Sequence, residues 1–158
     1  TLSNGKQVDS RIYPALQDLF DAMRADGIYP IVREGYRTTT DQQSILDDKI
    51  KAYEQEGLSS LLAKKMASEW VAAPGTSEHQ LGIAVDINAD KTKSTNDEVY
   101  TWLAEHAWEY GFILRYPKDK ENVTGTGYEP WHYRYVGKEA AKEIWQEGCC
   151  LEEYVTQN

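Results

Sequence analysis

The chain is short of the residues that mark several whole classes of protein. Its only cysteines, Cys149 and Cys150, are adjacent. Neighbours in sequence close no useful loop and lack the spacing of a zinc knuckle, so neither a disulfide framework nor a cysteine metal module is expected. They read as small buried or idle thiols. Positive charge is also scarce: 17 Lys and Arg face 26 Asp and Glu, a net charge of −9. A surface that tracks nucleic-acid phosphates is therefore not expected. No apolar run approaches the roughly 20 residues that a membrane span needs. The sequence opens on Thr1 rather than Met, which leaves room for an anchor upstream. Repeats, low-complexity segments and linkers are missing too. What remains is a single domain of 158 residues, 1–158, long enough to bury a core without staples.

What the chain does contain is mixed periodicity. Residues 1–9 read as an extended lead-in. Ile12, Leu16, Leu19, Phe20 and Met23 recur at helical spacing and predict a helix over about 11–25, with Asp9 or Ser10 as N-cap and Gly27 past its end. Residues 28–33 read as a strand that Pro30 confines to an edge or irregular position. Thr40-x-x-Gln43 has the form of a capping box and predicts a helix over about 40–56. Ser59 or Ser60 opens a third helix carrying Leu61, Leu62, Met66 and Trp70, which stops before Ala73-Pro74-Gly75. Residues 83–87 are short and β-branched, hence a buried strand, and a polar loop follows. Thr95-x-x-Glu98 starts a helix over about 96–110. Strands are expected at 112–116 and 131–136, separated by a charged loop over 118–127, then a helix over 138–146 and an acidic tail over 152–158. Without regular β-α-β alternation, this order predicts an α+β domain with a small, mainly antiparallel sheet flanked by helices.

One residue contradicts its surroundings. Asp86 sits inside the apolar run Ile83-Ala84-Val85-Asp86-Ile87. A carboxylate in a buried strand must be hydrogen-bonded, paired with a cation or bound to a metal. Histidines are only three: His79, His106 and His132. His106 falls on the apolar side of the 96–110 helix, with Trp102 and Tyr110, and reads as a hydrogen-bonded core residue. His79 precedes Asp86 by seven residues, and His132 enters a strand after Glu129-Pro130-Trp131. Two imidazoles and one carboxylate make a three-ligand zinc site with a position left for water. Glu129, three residues from a ligand and fixed by Pro130, would then be the general base. An odd separation puts His79 and Asp86 on opposite faces of a straight strand, so a bend is required near Gly82. The competing reading is an ion pair of Asp86 with Arg37 or Arg115, with His79 in an ordinary loop. Residue types and spacing alone leave both open.

Ser77-x-His79-x-x-Gly82-x-Ala84-x-Asp86, Glu129-x-Trp131-His132 and the upstream Gly35-Tyr36-Arg37-Thr38 together resemble the zinc D,D- and L,D-carboxypeptidases of the VanY and LdcB type. The resemblance covers about residues 8–155 and is closest to the VanY group, whose members act in vancomycin resistance. It implies a Hedgehog/DD-peptidase-like fold and one zinc ion held by His79, Asp86 and His132, with Glu129 as catalytic base. Arg37 matches the family's arginine, which steadies the oxyanion or a substrate carboxylate. Gln42 and Ser77 match positions that contact the peptide, and Trp131 is grouped with them as a substrate contact. The implied substrate is a peptidoglycan stem peptide ending in D-Ala-D-Ala. The implied setting is the outer face of the bacterial membrane or the cell wall, and the implied state is a monomer. Rival activities within the same chemistry are an L,D-carboxypeptidase and a D,D-dipeptidase. A non-catalytic wall-peptide module is the reading from another class. Glu34 departs from the small residue many relatives have before Gly-Tyr-Arg and adds negative charge there.

Overall fold

Antiparallel pairing organises the centre of the molecule. In the computed structural model, which describes residues 1–157, four strands lie in the order β1-β2-β4-β3: β1 Pro30–Glu34, β2 Ala84–Ala89, β3 Phe112–Leu114 and β4 His132–Tyr135. Every neighbouring pair is antiparallel. Pro30 begins β1 at a sheet edge, where its missing N–H costs no ladder bond. The expected α+β architecture is the observed one.

Helices α1 (Tyr13–Ala25) and α4 (Asn96–His106) supply the main core. Leu16, Leu19, Phe20 and Met23 pack with Val32, Val85, Ile87, Val99, Leu103, Phe112 and Tyr133. Burying each such aliphatic side chain contributes about 1.5–3 kcal/mol. Val85 and Ile87 of β2 face this core, so strand alternation turns Asp86 to the opposite side. Helices α2 (Thr39–Gln55) and α3 (Ser60–Ser68) form a separate hairpin beside the sheet, and α6 (Lys138–Glu147) covers β3 through Ala141 and Ile144.

Several boundaries differ from expectation, for local reasons. Helix α1 starts at Tyr13 behind Ile12, with a proline in its first turn and no side-chain cap, because Asp9 is occupied by the N–H and guanidinium of Arg11. Helix α2 is capped two residues earlier than Thr40: Thr38 and Asp41 form the capping box, and Gln43 instead bonds Asp47. Helix α3 ends at Ser68, short of Trp70. The predicted 96–110 helix tightens into a 3-10 turn over Ala107–Tyr110, and the strand at Phe112 stops at Leu114. The 118–127 loop contains a single helical turn, α5 (Glu121–Thr124).

Both termini are more structured than predicted. The lead-in turns at residues 2–6 and docks: the Gln7 carbonyl accepts from Tyr36 N–H and the Asp9 N–H donates to the Gly82 carbonyl. The acidic tail forms α7 (Leu151–Gln157), tied back by Arg115–Glu152 and Lys120–Glu153 ion pairs at 2.6 and 2.9 Å. Asn158, the end of the predicted tail, lies outside the described residues.

Candidate metal centre and groove

Strand register brings the first two predicted ligands together. Asp86 and His132 are direct cross-strand partners on β2 and β4, so their side chains emerge side by side. The His132 Nδ1 lies 3.0 Å from the Asp86 Oδ1. His79 reaches the same point from a different direction. It sits on a 3-10 turn, Glu78–Leu81, that Gly82 ends in the left-handed conformation at φ 73°. A side chain at Gly82 would be strained by that φ and would meet the Asp9 backbone at 3.0 Å. This is the bend the odd spacing required. It delivers His79 Nε2 to 3.3 Å from Asp86 Oδ1, with the two imidazoles edge to face at 4.9 Å.

The three side chains are all buried, and one ligand atom from each lies within 4.8 Å of the others. Their outer hydrogen bonds assign which nitrogens face the common point. The Gly35 carbonyl accepts from His79 Nδ1 at 2.9 Å, leaving Nε2 free inward. The Glu78 carboxylate accepts from His132 Nε2 at 3.0 Å, leaving Nδ1 inward. Metal-binding histidines are oriented in this way by a carbonyl or carboxylate on the far nitrogen. The residues therefore fit a mononuclear ion with two imidazoles and one carboxylate.

Backbone geometry upstream of the site serves the same orientation. The β1–β2 register shifts between Val32 and Glu34, a bulge that sets Glu34 opposite Asp86 and re-aims the chain into Gly35. A Cβ at Gly35 would lie 2.2 Å from the Gln7 carbonyl oxygen, so only glycine fits. From there the Gly35 carbonyl holds the His79 ring and the Arg37 N–H donates to the His79 carbonyl at 3.0 Å.

Glu129 is 7% exposed, with its carboxylate 3.9 Å from His132 Nδ1. Its N–H donates to Tyr116 and its carbonyl accepts from His132 N–H, which fixes the approach to β4. Burial, reinforced by the Asp86 and Glu78 carboxylates, pushes its pKa up to about 7 in the metal-free protein, although His132 and Arg37 oppose this. Arg37 is loosely held: 3.6 Å from both Glu34 and Asp86, with a 3.3 Å hydrogen bond to Gln42. Its buried Nε makes no hydrogen bond. Gln42, 1% exposed, is fixed by donating to the Ala72 carbonyl at 2.7 Å. Ser77 accepts from the His79 N–H. Arg37, Gln42, Ser77, His79, Asp86, Glu129, Trp131 and His132 all line one groove of about 290 Å3.

Two expectations change. Arg115 does not pair with Asp86; it pairs with Glu78, and Arg37 is the cation near Asp86. His106 is not a core residue: its side chain is 41% exposed, packed on Trp102 and bonded to Glu109. Sequence reasoning also missed Glu78. This carboxylate, 8% exposed, accepts from His132, Arg115 and Arg134. Burial would raise its pKa, but the His132 hydrogen bond and the Arg115 charge hold it at about 2. Burial would likewise lower His132, yet hydrogen bonds to Asp86 and Glu78 push it up to about 9. The only signal in the sequence was a glutamate next to a ligand, too common to single out.

A small α+β domain with buried ligands at the floor of a groove, and a further buried carboxylate beside them, has the framework of a mononuclear metal hydrolase. The family model for VanY, D-alanyl-D-alanine carboxypeptidase, matches residues 5–138, and the chain belongs to that family. It is 62% identical over 154 residues to a D-alanyl-D-alanine carboxypeptidase of Enterococcus faecalis, covering 98% of this chain and 58% of that protein. The chain thus spans little more than half the length of that relative. Among solved structures, VanYB in complex with D-alanine-D-alanine is 61% identical with a TM-score of 0.98, covering 99% of this chain and 86% of that one. A Glu-to-Ala variant of the D,D-pentapeptidase VanY from a VanB-type resistance cassette, solved in complex with Zn(II), is 61% identical with a TM-score of 0.97 and covers 98% and 87%.

Proposed function

We propose that this domain is a zinc-dependent D,D-carboxypeptidase that removes the terminal D-Ala from peptidoglycan stem peptides ending in D-Ala-D-Ala. The observation that carries the reading is Glu129: a buried carboxylate 3.9 Å from His132 and beside three convergent ligands, with no nearer ion pair among the described residues. A zinc ion bound by His79, Asp86 and His132 would supply Lewis acidity, lowering the pKa of bound water toward ~7 and polarising a carbonyl.

The chain's own residues would do the rest. Glu129 takes the proton from the attacking water at its carboxylate oxygen and returns it to the departing amine of D-Ala. Arg37, with donors to spare, stabilises the oxyanion or the substrate's terminal carboxylate, a task its forked permanent cation suits. Gln42 steadies that guanidinium, while Ser77 and Trp131 bound the groove where the peptide lies. In this reading Gly35 and Glu78 are positioning groups, each holding one imidazole.

The relatives named above support this substrate class, through their similarity to the chain along nearly all its length. We further propose that the domain works as a monomer on the outer face of the membrane, held by an upstream anchor, and contributes to vancomycin resistance by trimming precursors. Incubating the zinc-loaded protein with pentapeptide, tetrapeptide and free D-Ala-D-Ala tests the reading. Release of D-Ala from the pentapeptide is expected. Release from tetrapeptide alone would make it an L,D-carboxypeptidase, cleavage of the free dipeptide alone a D,D-dipeptidase, and binding without turnover a wall-peptide module.

A further inference from the structure

The groove does not end at the metal. Helix α2 runs along it, and Gln42, Ile45 and Lys49 all line the same wall. Positions 42 and 49 differ by seven residues, which on an α-helix is about 10.5 Å of rise and within ~20° of two full turns. Gln42 is bonded to Arg37 at the catalytic end, so Lys49 marks the far end of the same face. Trp70 lines the groove too, packed against Gly127 so closely that a Cβ on the glycine would lie 2.9 Å from the indole.

Lys49 and Arg37 are the two Lys or Arg side chains among the described residues that line this groove. Like most lysines of the chain, Lys49 has no carboxylate within 4.0 Å among the described residues. Its ammonium rests over the Tyr53 ring at 5.2 Å and is half-buried at the groove wall. An ammonium kept clear of protein carboxylates and held in a cleft is available to an anion in that cleft.

The distance says which part of a substrate could reach it. A carboxypeptidase has one residue on the leaving side of the scissile bond, spanning about 3.3 Å. A group about 10 Å away is met by the acyl side, roughly three extended residues upstream. We propose that Lys49 forms a subsite for a carboxylate carried by the third residue upstream of the scissile bond, with Ile45 and Trp70 flanking the intervening residues. In a pentapeptide stem that position is the γ-linked D-glutamate, whose α-carboxylate is free or amidated, so Lys49 favours the carboxylate form. The proposal rests on the D,D-carboxypeptidase reading and adds a determinant to it.

The test uses the zinc-loaded protein and two synthetic stem pentapeptides that differ only in free α-carboxylate or amide at that glutamate. A half-exposed ion pair supports a kcat/KM preference for the carboxylate of roughly fivefold, carried by KM. That ratio should fall to about one in Lys49→Met and shrink as salt is raised. A preference that persists in Lys49→Met would overturn the subsite. So would an equal loss on acyl-Lys-D-Ala-D-Ala, which lacks the third residue, because Lys49 would then act on the terminal carboxylate or on the fold. If neither pentapeptide is hydrolysed, the activity reading fails separately. The subsite is then judged by whether the two peptides bind Lys49→Met with equal Kd but the parent protein unequally.

Discussion

The two walls of the groove are built on opposite principles. The metal wall is made of paired strands and buried charge: Asp86 and His132 face each other across β2 and β4, with Glu78 and Arg115 packed behind them. The other wall is the α2–α3 hairpin, whose apolar residues are partly solvated: Leu61 is 82% exposed and Leu62 45%. Chemistry demands atoms held to a fraction of an ångström, which strand register and buried hydrogen bonds provide. Peptide binding tolerates adjustment, and a helical hairpin packed mainly on itself provides that instead. Substitutions should therefore be severe on one wall and graded on the other.

The largest effect is expected at Glu129. Glu129→Gln keeps the shape and removes the proton acceptor, so kcat on the pentapeptide should drop about 10²–10⁴-fold. Zinc content measured by atomic emission should stay near one per chain; a variant that lost its zinc would instead make Glu129 part of the ligand set.

Next in size is Glu78→Gln, which tests whether the outer hydrogen bond matters to the ion. Zinc affinity, read by chelator competition, should weaken about 10–100-fold. The melting temperature should also fall, because Arg115 and Arg134 lose their buried counter-charge. Unchanged zinc affinity would dissolve the distinction drawn between the walls.

A third test is the pH dependence of metal uptake. In the metal-free protein His132 stays protonated up to about pH 9, and a ligand must be neutral. Zinc affinity should therefore rise with pH from near 7 to about 9, by up to about tenfold per pH unit for that one proton. Calorimetry in buffers of different ionisation enthalpy should count about one proton released from His132 in that range, and a heat independent of buffer would contradict it.

The smallest effect belongs to the hairpin surface. Leu61→Ser should change stability by no more than about 0.5 kcal/mol in urea unfolding. A loss several times larger would mean that the hairpin is part of a cooperative core after all.

Part of this contrast was legible in the chain itself. A carboxylate in an apolar strand, two histidines out of three and a proline-fixed glutamate are local facts, and they made one shared centre a candidate beside an ion pair of Asp86. The bend at Gly82 followed from parity once His79 and Asp86 were taken to share one centre, since seven is odd and strands alternate. Other parts turned on details that residue spacing does not rank. The capping box of α2 moved from Thr40 to Thr38, because the choice lay with Asp41 rather than Gln43. His106 had the right spacing for a core position, but the helix tightens at Ala107 and leaves it half-exposed. The acidic tail gained structure through Arg115 and Lys120, which give Glu152 and Glu153 partners 33 to 37 residues away.

The sequence by itself determined the α+β class and that Asp86 needs a partner, because each follows from periodicity or from the cost of burying charge. Only the tertiary structure decided which imidazole nitrogen faces the metal position. That choice lies with the Gly35 carbonyl, 44 residues before His79, and with Glu78, 54 residues before His132. No local pattern encodes such partners, since hydrogen bonds between buried groups form only when the sheet has brought distant segments within 3 Å of each other.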